Sequence, residues 1–163
     1  MRTWLMKSEP DVFSILHLAA QHVAGWDGVR NYQARNYMRM MRKGDRAFFY
    51  HSNARPPCIA GMMEIVQEAY PDPTQFDPTS DHYDPASPRE RPRWDQVDVK
   101  FLQTFKRPLA LDEIREIPVL KNMLLLRRGR LSVQPVDAED WQFILKRAHH
   151  SCTRLSPSSR PPY

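Results

Sequence analysis

The first apolar run, RTWLMK at residues 2–7, reads as a short strand, broken by Lys7-Ser8-Glu9-Pro10 because proline cannot donate to a sheet ladder. SILHLAAQHV then predicts a short helix with Ser14 as its N-cap and Ile15, Leu18 and Ala19 on one face. Gly25 and Gly28 bracket a loop. A second helix is expected from Asn31, with Ala34, Tyr37, Met38 and Met41 facing a core and Arg35, Arg39 and Arg42 on another face toward solvent. Gly44-Asp45 ends it. RAFFYHSN predicts the next strand, and CIAGMMEIVQEAY another, with Gly61 marking a bulge or a close backbone approach.

Residues 71–93 break the rhythm. Six of the fifteen prolines fall there, which excludes regular structure, and the segment is too long for a turn. It is expected to be an ordered surface excursion anchored by Phe76 and Tyr83. WDQVDVKFLQTFK resumes as a strand, and LDEIREIPVL is a helix stopped at Pro118. An apolar Met-Leu-Leu-Leu connection leads to RLSVQPV, a short strand. DAEDWQFILKRA makes an amphipathic helix with Asp137 as N-cap and Trp141, Ile144 and Leu145 inward. Strands with short helices between them and no βαβ rhythm predict an α+β fold on a mostly antiparallel, barrel-like sheet.

Length alters the picture little: 163 residues suit one domain, 1–150, followed by a loose Ser/Pro/Arg-rich tail at 151–163. Cys58 and Cys152 are too few for a disulfide framework and read as reduced thiols. No apolar leader or membrane span is visible, so an intracellular monomer is expected, cytoplasmic in a prokaryote and nuclear in a eukaryote. The net charge of +5 fits a polyanionic partner without requiring one. Its distribution says more. Basic residues gather between Arg30 and Arg46 and between Lys121 and Arg130, while acids gather between Asp72 and Asp98.

The chain lacks the glycine-rich phosphate loops, the nucleophile elbow and the metalloprotease motif, and its histidines lack ligand spacing. No cofactor or metal is expected. Glu9, Asp27 and His51 are the acid–base candidates if the protein is an enzyme, although aspartates in such turns commonly bond their own backbone. What remains are four polar–aromatic stretches: KSEP at 7–10, WDGVRNYQARN at 26–36, FFYHSN at 48–53 and the segment around 131–136. They offer Trp26, Tyr32 and Tyr50 as flat surfaces, and Ser8, Asn31, Asn36, Ser52, Asn53 and Gln134 as neutral hydrogen-bonding groups. A heterocyclic base needs both, and basic neighbours can hold its phosphates. Trp4 and Trp141 are assigned to the core, Trp94 is left open, and Trp26, on a glycine-flanked loop, is expected at the surface. Asn31 is most simply a cap. A small-molecule sensor using the same groups is a third reading.

The stretches WLMKSEPDVFS, WDGVRNYQARN, GDRAFFYHSN, IAGMMEIV, EAYPDPTQFD, YDPASPRERPRW and RLSVQPV together resemble the EVE-domain family, in order, from about Thr3 to Leu145. The resemblance implies a PUA-like fold, a small mixed or antiparallel β-barrel flanked by short helices and related to YTH and ASCH domains. It implies a non-enzymatic reader of nucleic acid, holding a modified cytosine of DNA or a modified RNA base. Carried over, the base pocket comprises Lys7, Ser8, Trp26, Val29, Arg30, Asn31, Tyr32, Asn36, Tyr50, His51, Ser52, Ser132, Val133 and Gln134, with Arg35 and Arg39 on phosphates. Cys58 and the Met62-Met63 pair depart from the family pattern outside that pocket.

Overall fold

The computed structural model describes residues 1–149; Cys152, His150 and the tail at 151–163 lie outside them. A mixed six-stranded sheet runs in the order β2-β5-β4-β3-β1-β6. Its strands are β1 (Thr3–Ser8), β2 (Val23–Gly25), β3 (Arg46–His51), β4 (Cys58–Pro71), β5 (Asp95–Ala110) and β6 (Val133–Pro135). The helices are α1 (Ile15–Gln21), α2 (Tyr32–Met40), α3 (Leu111–Glu116), α4 (Leu124–Arg127) and α5 (Ala138–His149). The α+β class is as expected, but the ladder does not close into a barrel: β2 and β6 are its two ends.

Both faces of the sheet are covered. Trp4, Met6, Ala47 and Phe49 turn to one core, beneath α1 and α2 through Ile15, Leu18, Ala34 and Met38. Leu5, Phe48 and Tyr50 turn to the other, beneath α3, α4 and α5 through Ile114, Leu125, Trp141 and Ile144. Two-sided burial explains why WLM and FFY are unbroken apolar runs rather than alternating ones. Phe48 stacks on Trp141 at 3.9 Å between centroids.

Local signals act as the sequence suggests at several points. Ser14 caps α1, accepting from His17 N while His17 Nδ1 accepts from Ser14 N. The Asn31 side chain caps α2 by accepting from Ala34 N at 3.0 Å. The β4–β5 register shifts between Ile59 and Gly61, where a Cβ on Gly61 would stand 2.4 Å from the Gln103 carbonyl oxygen.

Two expectations need correction. The helix expected to run through Val23 stops at Gln21, and Val23–Gly25 forms β2 against β5. The sheet is mixed and mostly antiparallel, as expected, with β1 and β3 its one parallel pair among the described residues. The excursion is ordered, but Tyr83 is exposed and is no anchor. Buried polar groups hold it instead. Gln75 Nε2 donates to the Asp72 and Trp94 carbonyls, and Gln75 Oε1 accepts from Ser87 Oγ at 2.7 Å and from Trp94 N at 3.1 Å. Among the described residues, no helix is long and apolar enough to cross a membrane.

Candidate nucleic-acid interface

The parallel pairing of β1 with β3 brings the carboxyl ends of both strands to one side of the sheet, with Lys7 opposite Tyr50 and Ser8 opposite His51. Strand β6 runs antiparallel to β1, so its approach arrives at the same place, and Lys7 N donates to Ser132 O at 2.8 Å. KSEP, FFYHSN and the start of β6 therefore converge, although they are far apart in sequence.

A cavity of about 220 Å³ opens here. Lys7, Tyr50, Ser52 and Asn53 form its polar wall, and Leu111 and Leu125 belong to its apolar wall. Lys7 Nζ donates to the Gly129 carbonyl at 2.7 Å and stands 5.6 Å from the Tyr50 ring centroid. Burial pushes the Lys7 ammonium below its usual value. Burial, with the Cys58 thiol adding to it, pushes the Tyr50 hydroxyl up to about 12, so it stays protonated and can donate at neutral pH. Arg115 and Gly129 also line the cavity. The α3 and α4 residues were not foreseen. The apolar Met-Leu-Leu-Leu run beside a basic, glycine-containing turn was the one available signal.

The remaining predicted residues are placed differently. Ser8 Oγ donates to Phe13 O at 2.6 Å, and His51 Nε2 accepts from Ile15 N at 3.1 Å, so both tie the 9–15 segment to the strand ends. Burial pushes the His51 imidazole down, consistent with a neutral acceptor. Val133 and Gln134 are fully buried; Gln134 Nε2 donates to Leu131 O, while its Oε1 has no partner among the described residues.

Trp26 is the main correction. It is 6 % exposed and packs edge-on against Phe49 at 5.2 Å and Phe13 at 6.3 Å, in the same core as Val29. The glycine-flanked loop folds inward because Trp26 N donates to Val97 O, laying the indole over the open end of that core. Arg30 is also structural. Its Nε donates to His82 O, its Nη1 to Val29 O and Asp72, and its Nη2 to Thr74 Oγ1 and His82 O, which leaves no free N–H for a phosphate. Asp72 is fully buried. Its carboxyl, raised by burial, is nonetheless held below the usual range by hydrogen bonds from Thr74, Gly28 and Arg30.

Tyr32 is half exposed and stacks on buried Trp94 at 4.8 Å, 25° from parallel, with the Arg35 guanidinium 4.8 Å from its ring. Arg35 donates to Arg93 O and to Asn36 Oδ1, so these two predicted site residues serve one another. Arg39 pairs with Asp95 rather than lying free toward solvent. It also borders an open cleft of about 680 Å³ with Arg2, Arg42 and Lys43. That cleft lies near the start of β1, about 17 Å from the cavity at its other end by strand rise. Among the described residues, no cluster of histidine, cysteine and carboxylate side chains could hold a metal.

Comparison with known proteins identifies the family. The EVE domain model matches residues 2–147. Human thymocyte nuclear protein 1 is 48% identical over 161 residues, covering 87% of this chain and 72% of that protein. The structure of human THYN1 in complex with DNA containing 5-methylcytosine superposes with a TM-score of 0.89 at 46% identity, covering 93% of this chain and 99% of that one. A hypothetical protein from Leishmania major gives a TM-score of 0.89 at 47% identity, covering 91% and 94%. Family match, sequence identity and superposition agree across nearly all the described residues, and the chain belongs to the EVE-domain family.

Proposed function

We propose that this chain is a non-enzymatic reader of DNA, taking a modified cytosine out of the stack and into the cavity at the ends of β1 and β3. The observation that carries this reading is the human THYN1 complex with 5-methylcytosine-containing DNA, a protein 46% identical to this one over an alignment that covers 93% of this chain. The cavity supports it. Tyr50 supplies an aromatic wall, and Lys7, Ser52 and Asn53 supply donors and acceptors for a base edge. Its volume, about 220 Å³, is below the ~300–1,000 Å³ of drug-sized sites and suits one heterocycle. Arg2, Arg42 and Lys43 supply the salt-dependent backbone term. An enzymatic role is less well supported, because the His51 acceptor nitrogen is occupied by Ile15 N. Mass analysis of oligonucleotides after incubation checks that alternative, and turnover contradicts the reader.

Gly129 offers a direct test. It lines the cavity, and a Cβ added there meets no atom within 4 Å. Gly129→Trp should fill the cavity, keep the melting temperature and lose the preference for modified over plain DNA. Undiminished preference in the folded variant removes the cavity from the mechanism.

A further inference from the structure

The charged side chains that line the cavity are all cationic. Lys7 and Arg115 both line it, and none of its lining residues is an acid. The nearest carboxylate partner of Arg115 is Asp112, at 3.3 Å in a pair whose two side chains are 61% and 87% exposed. So weak and solvated a pair leaves the guanidinium available to a ligand. Among the described residues, Lys7 Nζ has one hydrogen-bond partner, the Gly129 carbonyl, of the three its ammonium can take. The Tyr50 hydroxyl has no hydrogen-bond partner among the described residues, and Arg115 and its exposed partner Asp112 both lie near enough to act on its titration, in opposite directions. Ser52 and Asn53 complete a polar wall in which donors predominate. Leu111, Leu125 and Leu126 provide the apolar remainder.

A methyl group on the base uses only the apolar part of this lining, and one buried methyl-sized group changes affinity only about fourfold. An anionic oxygen substituent uses the cations and the unoccupied donors together. We propose that the cavity selects a cytosine carrying an oxidised, carboxylate-bearing substituent over one carrying a methyl, with Lys7 and Arg115 as the specificity-determining residues. The inference rests on the reader function above and names the class of base that the site favours. Lys7 provides the inner contact, since it is already drawn against the Tyr50 ring and needs no rearrangement of the strand ends. Arg115, on α3, closes the outer side. Ligand oxygens accept from both cations, and the Tyr50 hydroxyl, which stays protonated, donates a third hydrogen bond.

The same two cations could act on a backbone phosphate beside the flipped nucleotide. Phosphates are common to every oligonucleotide, whereas the substituent is not, so a ratio of affinities separates the two. The test measures dissociation constants for duplexes identical except for one cytosine, which is plain, 5-methyl or 5-carboxyl. The proteins are the wild-type chain, Lys7→Met, Arg115→Gln and a distant control, Lys146→Met. Wild type should prefer carboxyl to methyl by about tenfold, the worth of roughly one charge-assisted hydrogen bond. Lys7→Met should bring that ratio to within about twofold of one, Arg115→Gln should lower it, and Lys146→Met should leave it unchanged. Arg115 is exposed, so Arg115→Gln remains informative if Lys7→Met fails to fold. Wild-type binding that prefers methyl, or ignores the substituent, overturns the specificity claim and leaves the reader function standing. Equal loss on all duplexes with the ratio intact assigns the cations to phosphate and overturns the claim. No binding to any duplex overturns both.

Discussion

Replacing Trp26 by alanine separates two incompatible roles. A surface residue that stacks on a base can be removed with little cost to stability. A core residue cannot, and Trp26 is 6 % exposed and wedged edge-on between Phe13 and Phe49. Deleting a buried tryptophan costs about 3–5 kcal/mol in transfer and cavity energy. The lost aromatic pairs are part of that figure, worth roughly 0.5–1.5 kcal/mol each beyond area. The loop has little means of collapsing into the space, since Trp26 N is tied to Val97 O and Gly28 N to Asp72. About 4 kcal/mol is therefore expected, a large part of the ~5–15 kcal/mol total of a domain. At roughly 2–4 °C per kcal/mol for this size, Trp26→Ala should melt about 8–16 °C below wild type in a thermal scan. Trp26→Phe, which keeps most of the volume, should lose markedly less. A Trp26→Ala protein that melts within ~2 °C of wild type but loses DNA preference refutes the core assignment.

Arg30→Met removes the side chain that clamps the 71–93 excursion and leaves buried Asp72 without its cation, although Thr74 and Gly28 still donate to it. A loss near ~3 kcal/mol is expected in urea unfolding, the low end for breaking a buried pair, with early proteolytic cleavage between 77 and 93. Because the folded Asp72 carboxyl titrates below its ordinary value of 3.8, its stabilising contribution is present above that value and is lost as pH falls through the lower folded one. Asp72→Asn should flatten that part of the acid denaturation curve; an unchanged curve contradicts the role. Gly28 has φ +79 and a Cβ there would stand 2.6 Å from His82 Nε2, so Gly28→Ala should lose ~1–2 kcal/mol from the backbone alone and loosen the loop from the excursion. Chemical denaturation measures the first effect, and amide exchange at residues 26–31 the second.

Much of this arrangement was readable along the chain, for identifiable reasons. Ser14 and Asn31 cap helices through contacts three residues away, which local sequence displays. Gly61 was readable because a glycine inside an apolar strand weakens it, and is kept there where the strand bulges or another backbone comes close. What was not readable depends on distant partners. Val23–Gly25 is a strand because β5 offers it an edge, and three residues carry no periodicity of their own. Trp26 looked exposed because its neighbours are glycine and aspartate, while the groups that bury it, Phe13 and Phe49, approach from other elements. Arg30 read as part of the base pocket, yet four of its five hydrogen bonds go to residues 72–82. The cavity was half visible. Lys7, Tyr50, Ser52 and Asn53 announced themselves as polar groups at strand ends, whereas Leu111, Arg115 and Gly129 reach it only through the packing of α3 and α4 on the sheet.

The central claim is that base recognition in the cavity adds to a sequence-independent backbone attraction. Affinity for a duplex with one 5-methylcytosine, against the same duplex unmodified, measured at about 50 mM and 200 mM salt, tests it most directly. The account predicts that both affinities fall steeply with salt while their ratio stays above one and nearly constant, because the base sits away from the screened phosphate contacts. A ratio of one at both salt concentrations, with binding retained, would contradict it.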